Sequence, residues 1–133
     1  MRILIADDQP KVRFALRVLL ERQSGLEVVG EAADIEDLLI QLSVTRPDLV
    51  LLGWELPGTS DIDLLPAIRR ICPKLPIIAL SGRLEARQIA LSAGVDAFVS
   101  KSDPPERLLD AIECCSQDPH TDTPWLDAGL VMP

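Results

Sequence analysis

The sequence predicts a doubly wound α/β domain, five parallel strands in one sheet with helices on both faces. Three observations carry this. Short apolar runs recur at residues 2–6, 26–32, 48–54, 76–81 and 97–100. Each run is continuously apolar rather than alternating, the pattern of strands buried on both faces. Longer segments between them carry apolar residues at helical spacing, and such strand–helix alternation calls for right-handed crossovers that set the strands parallel.

Taken in order, "RILIA" is the first strand and ends at the pair Asp7 and Asp8. Val12, Ala15, Leu16 and Leu19 then fall on one helical face. "LEVVGEA" is the second strand. Asp34 and Asp37 have N-cap spacing ahead of a helix whose stripe is Ile35, Leu38, Leu39 and Leu42. The third run, "DLVLLGW", carries Gly53 near its end and stops at the Pro57-Gly58 turn. Ser60 and Asp63 repeat the cap spacing before Ile62, Leu64, Leu65 and Ile68. "PIIALS" is the fourth strand, ending at Ser81; "LEARQIALSA" is the next helix, with Gly94 as its stop. "AFVS" is the fifth strand and runs into Lys101. Asp103 and Glu106 have capping-box spacing, and Pro104 would occupy the first helical position, where its missing N–H costs nothing. The pattern ends at about residue 116. Residues 117–133, rich in Pro, Asp and Thr but finishing with Trp125, Leu126, Leu130 and Val131, read as a linker or tail.

Composition narrows the function classes. At 133 residues one domain is expected, and with two Phe, two Trp and no Tyr its core must be aliphatic. A net charge of -8 argues against binding a phosphate backbone, which needs clustered Lys and Arg. No stretch approaches the roughly eighteen apolar residues of a membrane span, and the early aspartates do not suit a signal peptide, so a cytoplasmic location away from membranes is expected. Cys72, Cys114 and Cys115 are odd in number and lack CxxC spacing, which suggests neither a disulfide framework nor zinc. No Gly-rich phosphate loop or GxSxG elbow is present, and the one His, His120, lies in the tail. An enzyme or small-ligand binder on such a sheet is therefore the weaker alternative.

In an open sheet of order 2-1-3-4-5, ligands bind at the carboxyl ends of the strands, where strand order reverses between strands one and three. Asp7 and Asp8 there form a hard, oxygen-rich patch suited to Mg²⁺. Ser81 and Lys101 bring a hydroxyl and an ammonium to the same edge. The third strand ends beside them at Gly53, which brings no side chain.

Over residues 1 to about 115 these elements together resemble the receiver domain of two-component response regulators, a flavodoxin-like fold. Asp7 and Asp8 match its acidic Mg²⁺ pair, "LPG" at 56–58 the turn after its phosphoacceptor strand, and Ser81 and Lys101 the hydroxyl and lysine that hold the phosphoryl group. Phe98 matches its aromatic switch position, and Glu55 the position that gives a backbone carbonyl to the metal. The opening "ADDQPKVRFALRVLLERQSGLEVVGEA" resembles the NarL/FixJ-like branch, whose receivers usually precede a helix-turn-helix module. On that resemblance residues 1–116 are the receiver, and any DNA contact would come from a separate C-terminal module.

The resemblance fails at one position: the phosphoacceptor aspartate is expected where Gly53 stands. Glycine offers no nucleophile, so aspartyl phosphorylation at this position is chemically impossible. With one carboxylate gone, Mg²⁺ binding should be weak or absent. Lys101 should then bridge to Asp7 or Asp8. The reading is a non-enzymatic, atypical receiver that works through protein contacts, including a homodimer, on the face of the fourth helix, fifth strand and fifth helix or on that of the first and fifth helices. The competing reading is phosphorylation at Ser81, Glu55, Thr59 or Ser60.

Overall fold

The computed structural model describes residues 1–58 and 64–116. The chain runs β1 (Arg2–Ala6), α1 (Pro10–Glu21), β2 (Glu27–Ala32), α2 (Ile35–Thr45), β3 (Leu49–Gly53), α3 (Leu64–Ile71), β4 (Ile77–Ser81), α4 (Ala86–Ala93), β5 (Ala97–Ser100) and α5 (Pro105–Ser116). The strands form one parallel sheet of order β2-β1-β3-β4-β5, the expected architecture.

Alternation along the strands sorts the core into two layers. Leu4, Ala6, Val50, Leu52, Ile77 and Ala79 face one side, packed with Ile35, Leu38 and Leu42 of α2, Leu65 and Ile68 of α3 and Ala90 of α4. Ile3, Ile5, Leu49, Leu51, Ile78, Leu80 and Val99 face the other, against Leu20 of α1 and Leu108 and Ile112 of α5. Every residue of β3 and β4 is buried, which is why these runs show no polar alternation. Each such aliphatic side chain contributes about 1.5–3 kcal/mol on leaving water, so the sheet centre is the stable platform on which the strand ends stand.

The ends of the elements follow local chemistry, with some departures from the sequence reading. Asp34 caps α2 by accepting from Asp37 N at 2.8 Å, and Gly94 ends α4 with φ 113°, a left-handed conformation that a side chain would strain. Leu84 and Glu85 lie ahead of α4, which begins at Ala86. Residues Leu26, Asp48, Trp54 and Pro76 fall outside the strands. Pro105, not Pro104, opens α5. The Asp103–Glu106 capping box does not form, because the Asp103 carboxylate turns back to accept from Ser100 N at 3.0 Å. The stripe expected on α1 is only half right: Val12, Leu16 and Leu19 are half-buried, Ala15 is exposed, and Leu20 is the fully buried residue. Those stripe residues line a cavity of about 340 Å³ between α1 and α5, so α1 stands partly off the sheet. Ile62, the Ser60–Asp63 cap and the tail of residues 117–133 lie outside the described residues. No helix among the described residues is long and apolar enough to cross a membrane.

Candidate functional site

The carboxyl edge of the sheet collects the chemistry. Asp7 follows β1 directly, its backbone N–H held by Ala32 O at 2.9 Å, and it is 1% exposed. Its Oδ1 accepts from Gln9 N at 2.9 Å, a turn that leads into α1 with Pro10 in the first helical turn. Its Oδ2 lies 2.8 Å from Lys101 Nζ in an ion pair that is not aligned as a hydrogen bond, and Oδ2 has no hydrogen-bond partner among the described residues. Lys101 reaches this point because its own N–H continues the β4–β5 ladder to Ser81 O at 2.9 Å, and Nζ also donates to Gln9 Oε1 at 3.2 Å. Arg13 donates to the Asp7 carbonyl at 2.5 Å and pairs with Glu31 at 3.1 Å, tying α1 to β1 and β2. Of the two aspartates, Lys101 therefore chooses Asp7. Asp8 is exposed and forms no ion pair with a described residue.

Gly53 is the last residue of β3 and is buried. A Cβ built on it would stand 2.6 Å from Asp7 Oδ2, 3.1 Å from Asp7 Cγ and 3.2 Å from the Ala6 carbonyl oxygen. The Asp7 carboxylate thus occupies the volume that a side chain at position 53 would need. Taking a carboxylate and an ammonium out of water is costly unless they meet closely, and the 2.8 Å approach of Lys101 supplies that compensation.

A second pair forms across β3 and β4. Ser81 is fully buried, and its Oγ lies 3.0 and 2.8 Å from the two carboxylate oxygens of Glu55, to which it donates. The same Oγ accepts from Arg83 N at 3.0 Å. Glu55 follows β3 in a turn closed by Leu56 N to Gly53 O at 3.1 Å, with Trp54 N on Leu80 O at 2.8 Å. The sequence reading valued Glu55 mainly for its backbone carbonyl; the side-chain contact was missed, as was Gln9. A signal existed in both cases, since Gln9 and Glu55 sit two residues beyond Asp7 and Gly53 on chains turning away from the edge. Phe98 is half-buried against the core layer of α2, α3 and α4.

This donor set does not fit Mg²⁺, which requires near-octahedral oxygen ligation. Lys101 covers Asp7 Oδ2, and position 53 supplies no carboxylate. Among the described residues, no group of three or more His, Cys, Asp or Glu converges to hold a metal.

Comparison with known proteins agrees with the fold described. The family model "Response regulator receiver domain" matches residues 3–113. The transcriptional regulatory protein YxjL of Bacillus subtilis is 30% identical over 119 residues, 88% of this chain and 55% of its own length. The chain spans about half the length of the curated relatives it matches. A LuxR-family two-component response regulator from Aurantimonas sp. SI85-9A1 superimposes with a TM-score of 0.77 at 35% identity, covering 85% of this chain and 82% of that one. RcsB of Salmonella enterica serovar Typhimurium, in a structure bound to promoter rprA with the phosphomimetic BeF3⁻, gives a TM-score of 0.78 at 29% identity over 86% of this chain and 59% of that one. The chain belongs to the response regulator receiver domain family, with relatives among LuxR-family response regulators.

Proposed function

We propose that this chain is an atypical receiver, a signalling module without enzymatic activity that acts through protein contacts and does not depend on aspartyl phosphorylation. The observation that carries the reading is the filling of position 53. Asp7 Oδ2 stands 2.6 Å from where a Gly53 Cβ would be, and Lys101 neutralises it at 2.8 Å. The acidic group and the lysine that elsewhere would serve a metal and a phosphoryl group are here engaged with each other. Mg²⁺ then has little to bind, and its affinity is expected to be weak or absent.

Modification at Ser81 is disfavoured by its full burial beneath the Glu55 carboxylate. Thr59 and Ser60 lie outside the described residues. The module works in the cytoplasm, as part of a transcription regulator whose DNA contact is made by a separate C-terminal helix-turn-helix unit. Its output face is α4–β5–α5 or the α1–α5 pair, each of which offers apolar contact: Leu84 and Ile89 are exposed beside and on α4, and Phe14 on α1. Any partner or second copy acts by preferring one of two conformations of that face.

The test is a titration with Mg²⁺, alone and with beryllofluoride, followed by backbone amide NMR. The reading expects no saturable shift at the amides of Asp7, Gly53, Ser81 and Lys101 below millimolar Mg²⁺. Saturation at micromolar concentration would overturn it.

A further inference from the structure

We infer that Glu55 is a built-in anionic ligand of Ser81, fixing through that hydroxyl the loop that enters α4. The inference rests on the reading above, because it concerns the regulation of the same edge. It starts from burial. A hydroxyl that is fully buried must find partners within the protein, and Ser81 Oγ has one proton to give and lone pairs to receive. Its proton goes to the Glu55 carboxylate, whose oxygens lie at 3.0 and 2.8 Å, and one lone pair takes Arg83 N at 3.0 Å. With both roles committed, the hydroxyl has one orientation, and the backbone from Ser81 to Arg83 is drawn toward the strand end.

The consequence reaches α4. Arg83 O accepts from Ala86 N at 3.1 Å, the contact that begins the helix. A carboxylate from the β3 end, a hydroxyl from the β4 end and the Arg83 amide are thus linked by hydrogen bonds, and the backbone of Arg83 carries the connection to the first residue of α4. Hydrogen bonds to a charged acceptor are about twice as strong as neutral ones, so the Glu55 link is the strong member of the chain. It originates within the protein and is present without any modification. The loop entering α4 is therefore held in one state permanently, and signalling through this edge would require a partner that pulls Glu55 away from Ser81.

The position of Glu55 suits the role. It stands in an exposed turn, so its carboxylate is accessible to a competing cationic group, while the atom it holds is wholly buried. A partner presenting Lys or Arg to this turn would have direct access to the carboxylate.

The experiment measures amide hydrogen exchange by NMR on the unmodified chain and on four variants: Glu55→Ala, Glu55→Gln, Ser81→Ala and the double variant Glu55→Ala/Ser81→Ala. The inference expects exchange at Arg83 to rise about tenfold in Glu55→Ala, the loss that one charge-assisted hydrogen bond predicts. Glu55→Gln, which keeps an acceptor but loses the charge, should show a smaller rise. Adding Glu55→Ala to Ser81→Ala should change the exchange at Ala86 no further than Ser81→Ala alone, because the carboxylate acts only through the hydroxyl. Unchanged exchange at Arg83 in Glu55→Ala would overturn the inference, as would additive effects in the double variant. Because Glu55 is exposed in a turn, its replacement leaves the core intact, and protection of the β3 and β4 amides verifies that in the same spectra. Failure of the wider reading registers elsewhere, as tight Mg²⁺ binding or phosphoryl uptake, and leaves these exchange rates unaffected.

Discussion

Replacing Lys101 by Ala isolates the contact that defines the site. Asp7 is 1% exposed at its side chain, and Lys101, 22% exposed, supplies the only charge within ion-pair distance of it among the described residues. Removing one partner of a fully buried pair costs about 3–5 kcal/mol, because the other charge is left in a poorly solvated place. Here the partly exposed lysine end admits water once it is cut back, which roughly halves the figure, to about 2 kcal/mol. Unfolding entropy of about 2.1 cal/mol/K per residue makes each kcal/mol worth about 4 °C in a domain of this size, so Tm should fall by about 8 °C. Urea denaturation at neutral pH, with an unchanged slope, measures the same loss. Combining Lys101→Ala with Asp7→Asn removes the stranded charge and should recover at least half of it. A loss under about 0.5 kcal/mol, the range of an exposed pair, would refute the argument that the pair is buried and necessary. So would a double variant less stable than Lys101→Ala alone.

Other substitutions test the surrounding geometry. Gly53→Ala sets a methyl group 2.6 Å from Asp7 Oδ2 and should destabilise by about 1–3 kcal/mol, with much of that loss relieved when Asp7 is also shortened to Ala; urea titration of the single and double variants decides it. Asp34→Ala deletes the 2.8 Å cap on Asp37 N and should cost about 1 kcal/mol in the same assay. The Cys115 thiol is pushed up to about 11 by burial first, then by Asp96 and Cys114. The folded protein therefore holds this proton more tightly than the unfolded chain, so stability contributed by the thiol is full below about pH 9 and falls as pH rises from there. At pH 8 its thiolate fraction is about a hundredfold below that of an ordinary thiol, and iodoacetamide should label exposed Cys114 well before Cys115.

The fold was legible because it is written in runs and punctuation. β3 and β4 show unbroken apolar stretches since both faces are covered, and the residues that end α4 and begin α2, Gly94 and Asp34, act through their own backbone or side chain alone. Where a polar side chain had a choice of partners, the sequence was silent. Asp103 has cap spacing to Glu106 yet turns to Ser100 N, a neighbour three residues back that only the bend after β5 brings within reach. In the site, the sequence placed Asp7, Ser81 and Lys101 on one edge and marked Gly53 as anomalous. Which aspartate Lys101 would choose depended on burial, and Asp7 wins because its turn to Gln9 aims Oδ2 inward while Asp8 stays in water. For Glu55 the sequence offered only its place two residues beyond Gly53: strand periodicity says where Cβ points within β3, and Glu55 has already left the strand.

The most direct test of the central claim is intact-protein mass spectrometry after incubation with Mg²⁺ and a small-molecule phosphodonor, with Gly53→Asp beside the unmodified chain. The added carboxylate requires Asp7 to leave the volume it now holds, the same rearrangement whose cost Gly53→Ala measures. The account predicts that the unmodified chain gains no mass while Gly53→Asp gains one phosphoryl group. A phosphoryl group on the unmodified chain, at any residue, would contradict it.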